Sequence, residues 1–206
     1  MKKYLLFIIL TLIPLTLCAW GVGMSGVSLL SGSEKGGAGG SCASCNSGTD
    51  SQIVNTGITA DDDFVYIENT WFASRMTVSS DICATGLYFY SCDYGASDYG
   101  SITVELYTDN SGQPGSRVSA GYTGSISDLA DALAINEVLF ASTQELPAGT
   151  YWVVVKFTTL GASGPFIGVS ETGGGYHMYS VDSGSSWTDV TAYGYYFELG
   201  ILGCSK

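Results

Sequence analysis

Apolar residues recur at every second position in three long segments of the chain, at 102–107, 151–157 and 195–201. In each segment one parity is apolar throughout, as with Ile102 and Leu106 in the first. Successive side chains of a β-strand point to opposite faces, so this period is typical of a strand with one face buried. We therefore predict three strands here, with the apolar parity facing a core.

Shorter apolar segments predict further strands at 64–68, 71–78, 82–90, 137–141, 166–170 and 176–181. Glycine, proline, asparagine and serine between these segments supply the backbone angles that tight turns need. One stretch, 127–134, begins with a serine that can cap a helix and carries two aspartates, which predicts one or two helical turns. About ten short strands with so little helix predict an all-β fold, an antiparallel, jelly-roll-like β-sandwich.

The N-terminus has the pattern of a secretory signal peptide. Two lysines precede an apolar run at 4–17, which is too short for a comfortable membrane span. Cleavage is expected after Ala19 or Gly21. A lipoprotein signal ending at Cys18 is the alternative, and a retained leader is a third. We therefore expect a secreted or cell-surface protein that meets a membrane only through an N-terminal lipid or an uncleaved leader.

Glycine and serine dominate residues 20–51. This composition has no packable apolar pattern, so we predict either a flexible tether or a disordered start of the mature chain. The strand pattern fills 52–206, which is long enough for one domain with its own core. The expected organisation is a signal peptide at 1–19, a flexible Gly/Ser/Cys-rich segment at 20–51 and a β-sandwich domain at 52–206.

The charge balance narrows the set of partners. The chain has 7 basic and 19 acidic residues, for a formal net charge of -12. An acidic surface repels phosphate backbones, so a nucleic-acid partner is not expected. An extracellular glycan or protein remains open.

Export would permit disulfides, and the candidate cysteines outside the leader are Cys42, Cys45, Cys83, Cys92 and Cys204. Because five is an odd number, one thiol stays unpaired or bonds to another chain unless the leader cysteine is retained.

The positions of the cysteines restrict their pairing. Cys83 and Cys92 flank one predicted strand, which would hold them about 27–30 Å apart, too far for a disulfide. Cys204 can reach Cys83 if their strands are neighbours. Cys42 and Cys45 have the CxxC spacing within Gly/Ser-rich sequence, where a local disulfide is favoured over a redox or zinc site because no second ligand pair is visible.

A two-part motif gives the chain a family resemblance. Residues 102–116 read ITVELYTDNSGQPGS and residues 146–155 read LPAGTYWVVV, with GSSWT at 184–188 and an aromatic strand at 195–199. Over about residues 70–202 this resembles the choice-of-anchor β-sandwich domains of secreted and surface-attached bacterial proteins. The resemblance implies export and frequent surface attachment but no catalytic residues. The usual C-terminal anchor is missing, so we expect attachment through the N-terminus or a partner.

Catalytic candidates are few. His177 is the only histidine, and a serine hydrolase would need it as the base, yet no Gly-x-Ser-x-Gly motif is present. Glu105 and Glu198 could form the carboxylate pair of a glycosidase. Both have outward parity on their strands, so we expect ordinary solvent-facing charges.

No catalytic residue or cofactor is therefore predicted, although calcium remains a hypothesis. Asp61, Asp62 and Asp63 form the only run of acids, and bunched carboxylates suit Ca²⁺. The spacing does not fit an EF-hand.

Aromatic residues are the richest feature of the chain. Sugar rings stack on aromatic planes, and the candidate ligand-binding residues are Trp187, Tyr196, Tyr176, Tyr179, Tyr94 and Tyr99. The alternative explanation is that these aromatic residues pack in the core, as they do in any sandwich. The expected function is a non-catalytic secreted or surface protein with a structural or interaction role. A carbohydrate-binding module is the alternative, and a hydrolase is less favoured.

Overall fold

The fold is an all-β sandwich, as the alternation predicts. A computed structural model describes residues 51–55, 63–66, 69–93, 102–127, 129–157, 165–170, 173–191 and 195–205. Within these ranges no helix has the length and apolar character that crossing a membrane requires. Several predictions lie outside the described residues, namely those for the signal peptide and for Cys18, Cys42, Cys45, Asp61, Asp62, Tyr94 and Tyr99.

In the described residues the strands form two antiparallel sheets of seven strands each. The first sheet contains β1 (Ser51–Asn55), β2 (Asp63–Tyr66), β4 (Ile82–Cys92), β8 (Ala134–Leu146), β10 (Phe166–Ser170), β13 (Tyr196–Phe197) and β14 (Leu199–Ser205). The second sheet contains β3 (Trp71–Val78), β5 (Ile102–Asn110), β6 (Gln113–Arg117), β7 (Thr123–Ile126), β9 (Gly149–Phe157), β11 (His177–Ser180) and β12 (Thr188–Asp189).

Strand order places β9 in the middle of the second sheet and β4 in the middle of the first. The second sheet runs β12-β11-β3-β9-β5-β6, with β7 also paired to β5. The first runs β1-β14-β4-β10-β13, with β2 on β10 and β8 on β4. Apart from the pairs β5–β6 and β11–β12, the neighbouring strands in the described residues are non-consecutive, as in a sandwich built from long connections.

The inward faces of the two sheets form one core. The predicted inward parity is confirmed on β5 and β9, where alternate residues belong to the main core, and β4 and β14 add residues to the same cluster. Phe72 on β3 contacts Phe197 on β13 edge to face, with ring centroids 5.0 Å apart, and so joins the sheets. Burying each large apolar side chain stabilises the fold by about 1.5–3 kcal/mol.

Most predicted strands are present with shifted ends. β3 and β10 coincide with the predicted segments, whereas β4, β5, β8 and β9 are longer. The segment predicted as one strand at 195–201 is two strands, β13 and β14, interrupted at Glu198. Its inward parity nevertheless persists, since Phe197, Leu199 and Ile201 are all buried.

The helical turn predicted at 127–134 is wrong. Its described residues form bends, and β8 begins at its last position. Leu129 is buried in the core, and the Ala130 N–H donates to the side chain of Asn136, so tertiary contacts outweigh the local capping pattern. The described residues contain one short 3-10 helix, Ala120–Tyr122.

Strand β14 lies between β1 and β4, which aligns Cys204 with Cys83 across the pair. The prediction that these strands are neighbours is confirmed. Cys92 is buried at the far end of β4, as expected for two cysteines at opposite ends of one strand.

A glycine on β14 accommodates a tyrosine ring. Gly200 is the cross-strand partner of Tyr88, and a Cβ at Gly200 would collide with the ring. Tyr88 points away from the main core and is nevertheless fully buried. Glycine is needed here because of the close approach, which is a recognised reason for glycine inside a strand.

Candidate functional site

The outer face of the second sheet carries a cluster of aromatic and charged side chains. Residues of β3, β9 and β5 that alternate with core residues share this face, and the strand register aligns them in rows. Trp71 is opposite Lys156, and Trp152 lies between Arg75 and Tyr107. We call the surface formed by these residues, with two more from the segments that flank β11, the aromatic face; its members are Trp71, Arg75, Tyr107, Trp152, Lys156, Tyr176 and Trp187.

A small apolar layer supports the aromatic face and is separate from the main core. Ala73, Trp152 and Val154 are fully buried, and Met178 on β11 completes the layer. The rings packed against this layer are those of Trp71, Tyr107 and Trp187. Because these partly buried rings pack on the apolar layer, their conformations are already restricted, and a ligand that binds them loses less conformational entropy.

The buried ring of Trp152 is also hydrogen-bonded. Its Nε1–H donates to Asp109 Oδ1 at 2.8 Å, and Asp109 Oδ2 accepts the N–H of Gly112 at 3.2 Å. Asp109 thus ties the turn between β5 and β6 to the middle of the aromatic face. A buried indole N–H needs such an acceptor.

Lys156 lies between two rings of the aromatic face. Its Nζ is 4.1 Å from the ring centroid of Trp71 and 5.1 Å from that of Tyr107, within cation–π distance. Lys156 also forms an ion pair with Glu105, and Arg117 Nη1 is 3.2 Å from Glu105 Oε1. Burial pushes the pKa of Glu105 up, but its hydrogen bonds and charge interactions with Lys156 and Arg117 outweigh burial, and the pKa is lowered.

The prediction that Glu105 faces solvent is therefore wrong. Its outward parity is correct, but the outer face has its own buried layer, and Glu105 is 4% exposed. Glu198 lies between β13 and β14, beside the first sheet, whereas Glu105 belongs to β5 of the second sheet. The two carboxylates considered as a pair thus belong to different sheets.

Arg75 stacks on the ring of Tyr176. The guanidinium carbon is 3.5 Å from the ring centroid, and the backbone N–H of Arg75 donates to the Tyr176 carbonyl at 2.9 Å. Tyr176 is 50% exposed, so this pair forms an accessible part of the aromatic face. Among the described residues, no carboxylate lies within ion-pair distance of Arg75.

The composition of this side of the sheet differs from that of the whole chain. The described residues include three tryptophans and three basic residues, and all six are on this side of the second sheet. The full chain has a formal net charge of -12. Although the chain as a whole is acidic, the lysine and arginine residues of its described part lie on the same side of the second sheet as the described tryptophans.

The turn before Trp187 is fixed by Asp182. Asp182 accepts hydrogen bonds from Ser180 Oγ at 2.7 Å, from the Ser186 N–H at 2.9 Å and from Ser186 Oγ at 2.6 Å. The Ser186 hydrogen bonds are the main cause that lowers the pKa of Asp182 to about 2. Gly184 has a φ of +84°, and a Cβ there would lie 2.7 Å from the Trp71 ring, so glycine lets the turn approach Trp71.

His177 lies inside the molecule at the other side of β11. Its Nδ1 accepts the backbone N–H of Phe197 at 3.3 Å, and therefore also accepts the hydroxyl of Ser74 at 2.8 Å. The proton is then on Nε2, which donates to the Gly174 carbonyl at 3.1 Å. Burial is the main cause that lowers the pKa of His177 to about 4. His177 thus links β3 and β11 to β13, which belongs to the opposite sheet.

The structure divides the predicted aromatic candidates. Trp187 and Tyr176 belong to the aromatic face. Tyr179 has the opposite parity on β11 and packs against the main core. Tyr196 contacts His177 edge to face, with ring centroids 5.6 Å apart, and so lies apart from the aromatic face.

Sequence reasoning missed most members of the aromatic face. The strand pattern covers Trp71, Arg75, Tyr107, Trp152 and Lys156, but nothing in the sequence marks them as candidate binding residues. One signal was present: the run from Trp152 to Val155 is apolar at both parities, which is typical of a strand buried on both faces.

Of the metal candidates, only Asp63 is among the described residues, where it opens β2 opposite Val169. No three His, Cys, Asp or Glu side chains gather as a metal site in the described part of the chain. Comparison with protein-family models, with curated proteins and with solved structures found no match for this chain.

Proposed function

We propose that this protein is a non-catalytic secreted or cell-surface module with an interaction role, and that the aromatic face is its binding surface. One observation carries the proposal: the tryptophans and cations of the described chain share one side of one sheet, although the chain as a whole is acidic. Folding alone requires no such segregation, since the main core already fills the space between the sheets.

Carbohydrate is the ligand class that suits this face. Trp71, Trp187 and Tyr176 are partly or largely exposed and are held by packing, stacking or a fixed turn. Sugar rings offer C–H faces to such planes, while Arg75 and the hydroxyl of Tyr176 can bond to their oxygens. A rigid aromatic platform binds with little loss of side-chain entropy.

The non-catalytic part of the proposal is supported by the surroundings of His177. The ring is 1% exposed, and both nitrogens have partners inside the protein. A general base must reach a proton on its substrate, and this ring faces the space between the sheets. The motif-level resemblance to choice-of-anchor domains, which implies export and surface attachment, agrees with the same reading.

A glycan array tests the function. The full chain should bind at least one class of immobilised glycan, and Trp187→Ala and Trp71→Ala should each weaken binding about tenfold or more by removing stacking area. Leu139→Ala is the matched control, because this side chain is 61% exposed on β8 of the other sheet. A chain that binds no glycan, or tryptophan variants that fold and bind normally, would contradict the proposal.

We also propose that Cys83 and Cys204 form a disulfide. They are directly opposite each other on adjacent antiparallel strands. The Cα atoms of such a pair are about 4.5–5.5 Å apart, within the range that a disulfide spans. An oxidising location, as export would provide, is the condition for this bond.

A further inference from the structure

The Arg75–Tyr176 pair differs from the other charged contacts of the aromatic face. Lys156 and Arg117 share Glu105, which leaves these two cations neutralised in part by a common carboxylate. Arg75 instead stacks on an aromatic ring, and no described carboxylate pairs with it. Stacking occupies one face of the guanidinium and leaves its N–H groups, which lie in the plane, available to an acceptor.

A planar, fixed guanidinium is suited to one ligand group above others. Its parallel N–H donors match the two oxygens of a carboxylate, and the resulting bidentate pair is stronger and more directional than a bond to a hydroxyl. The exposed ring of Tyr176 lies directly against it, so a ligand that offers both a flat C–H face and a carboxylate would contact both residues.

We propose that the aromatic face recognises an acidic saccharide, with Arg75 binding the carboxylate of a uronic acid unit while neighbouring rings stack on the sugars. This inference rests on the proposed function. Arg75 then determines selectivity for acidic over neutral sugars, and the tryptophans supply affinity that both kinds of sugar share.

The nearby acids do not prevent this. Glu105 is paired with two cations, and Asp109 has both oxygens occupied by Trp152 and Gly112. Asp182 and Asp189 lie at the Trp187 end, near β12, and bond within their own turns. The long-range repulsion from the acidic remainder of the chain is screened beyond about 8 Å at physiological salt.

Three probes of matched length test the proposal by calorimetry with the full chain. Tetragalacturonate carries rings and carboxylates, its methyl ester keeps the rings without the charge, and tetraglutamate keeps the carboxylates without the rings. We expect tetragalacturonate to bind about tenfold or more tightly than either control, because the ester lacks the charge-assisted bidentate pair and tetraglutamate lacks the rings that stack on the aromatic residues.

Two variants test whether Arg75 causes the preference for the acid over its ester. Arg75→Gln should remove most of the preference for tetragalacturonate over its ester, because the acid should lose more affinity than the ester does. Arg117→Gln is the matched control, since it removes the same charge from β6, and it should keep the preference; thermal unfolding of both variants checks that they fold.

The outcomes separate this inference from the function on which it rests. If the ester binds as tightly as the acid and Trp187→Ala weakens both, the acidic specificity is wrong and carbohydrate binding stands. If tetraglutamate binds as tightly as tetragalacturonate, the ligand is an acidic peptide and the saccharide inference is overturned. If none of the probes binds, the inference is overturned, and the glycan array decides the broader function separately.

Discussion

Protonation of His177 should set the stability of the fold in mildly acidic solution. The ring accepts two hydrogen bonds at Nδ1, from Ser74 and from the backbone of Phe197. A proton added at Nδ1 would place a charge between the sheets and turn the contact with the Phe197 N–H into a donor–donor contact, although the Ser74 hydroxyl can rotate to accept. Because His177 is the only histidine of the chain, no other imidazole contributes to this effect.

The size and sign of the effect follow from the pKa of His177, which falls from 6.5 to about 4 on folding. Between these values the unfolded chain binds the proton more tightly than the folded chain. The stability is therefore fully present above pH 6.5 and is lost as the pH falls towards 4. A difference of this size corresponds to about 3 kcal/mol in total and to about 2 kcal/mol at a pH near 5.

Urea unfolding of the wild type and of His177→Asn at about pH 7.5 and about pH 5 measures this loss. Asparagine keeps an acceptor near the position of Nδ1 and has no titration in this range. The wild type should lose about 2 kcal/mol between the two conditions, and the variant should lose much less. The lowered pKa values of Glu105 and Asp182 place their protonation below this window.

A result of one kind would refute the reasoning. If the wild type and His177→Asn lost the same stability between the two conditions, His177 would not be the group responsible. An NMR titration of the single imidazole of the folded wild type gives a second check that needs no variant. A midpoint near the unperturbed value would contradict the buried, neutral ring.

Two further predictions concern covalent and ionic links. If Cys83 and Cys204 are bonded, Cys204→Ser or a reductant should lower the free energy of unfolding by about 4–5 kcal/mol, because the bond closes a long loop. Iodoacetamide added to the denatured, unreduced protein should then label neither of these two cysteines. Glu105→Gln should lower the free energy of unfolding by about 3 kcal/mol in urea titrations, because it leaves the nearly buried Lys156 without its carboxylate; a value near zero would mean that the ion pair contributes no net stability.

The sequence correctly predicts which residues of several strands face the main core. Alternation assigns the core residues of β5, β9 and β14, because one-sided burial leaves a period of two in the chain. It does not predict β6, β7 and β12, which are short strands at the edges of the second sheet with few apolar residues. The capping pattern at 127–134 predicts a helical turn that is absent from the described residues there, because the burial of Leu129 outweighs this local preference.

The aromatic face was less predictable, for a physical reason. Parity shows that Glu105 and Trp152 point away from the core, but it does not show what else lies on that side. Trp152 packs with Met178 and Trp187, which lie far away in sequence and reach this face through the pairing of β11 with β3. Glu105 instead contacts Lys156, Arg117 and Tyr107, and parity does not predict those contacts either. Trp187 and Tyr176 are candidates from sequence because aromatic residues cluster at 176–196, but the same cluster also names Tyr179 and Tyr196, which lie elsewhere.

The contact of Gly200 with Tyr88 explains why a glycine is favourable within β14. By intrinsic β-propensity, β14 is a weak strand, because glycine has no side chain to pack and is costly to order. Here the missing side chain is replaced by a ring from the neighbouring strand, so the two residues share the volume of one ordinary cross-strand pair. An engineer who raised the propensity of β14 with a β-branched residue at Gly200 would therefore expel the tyrosine and weaken the sheet.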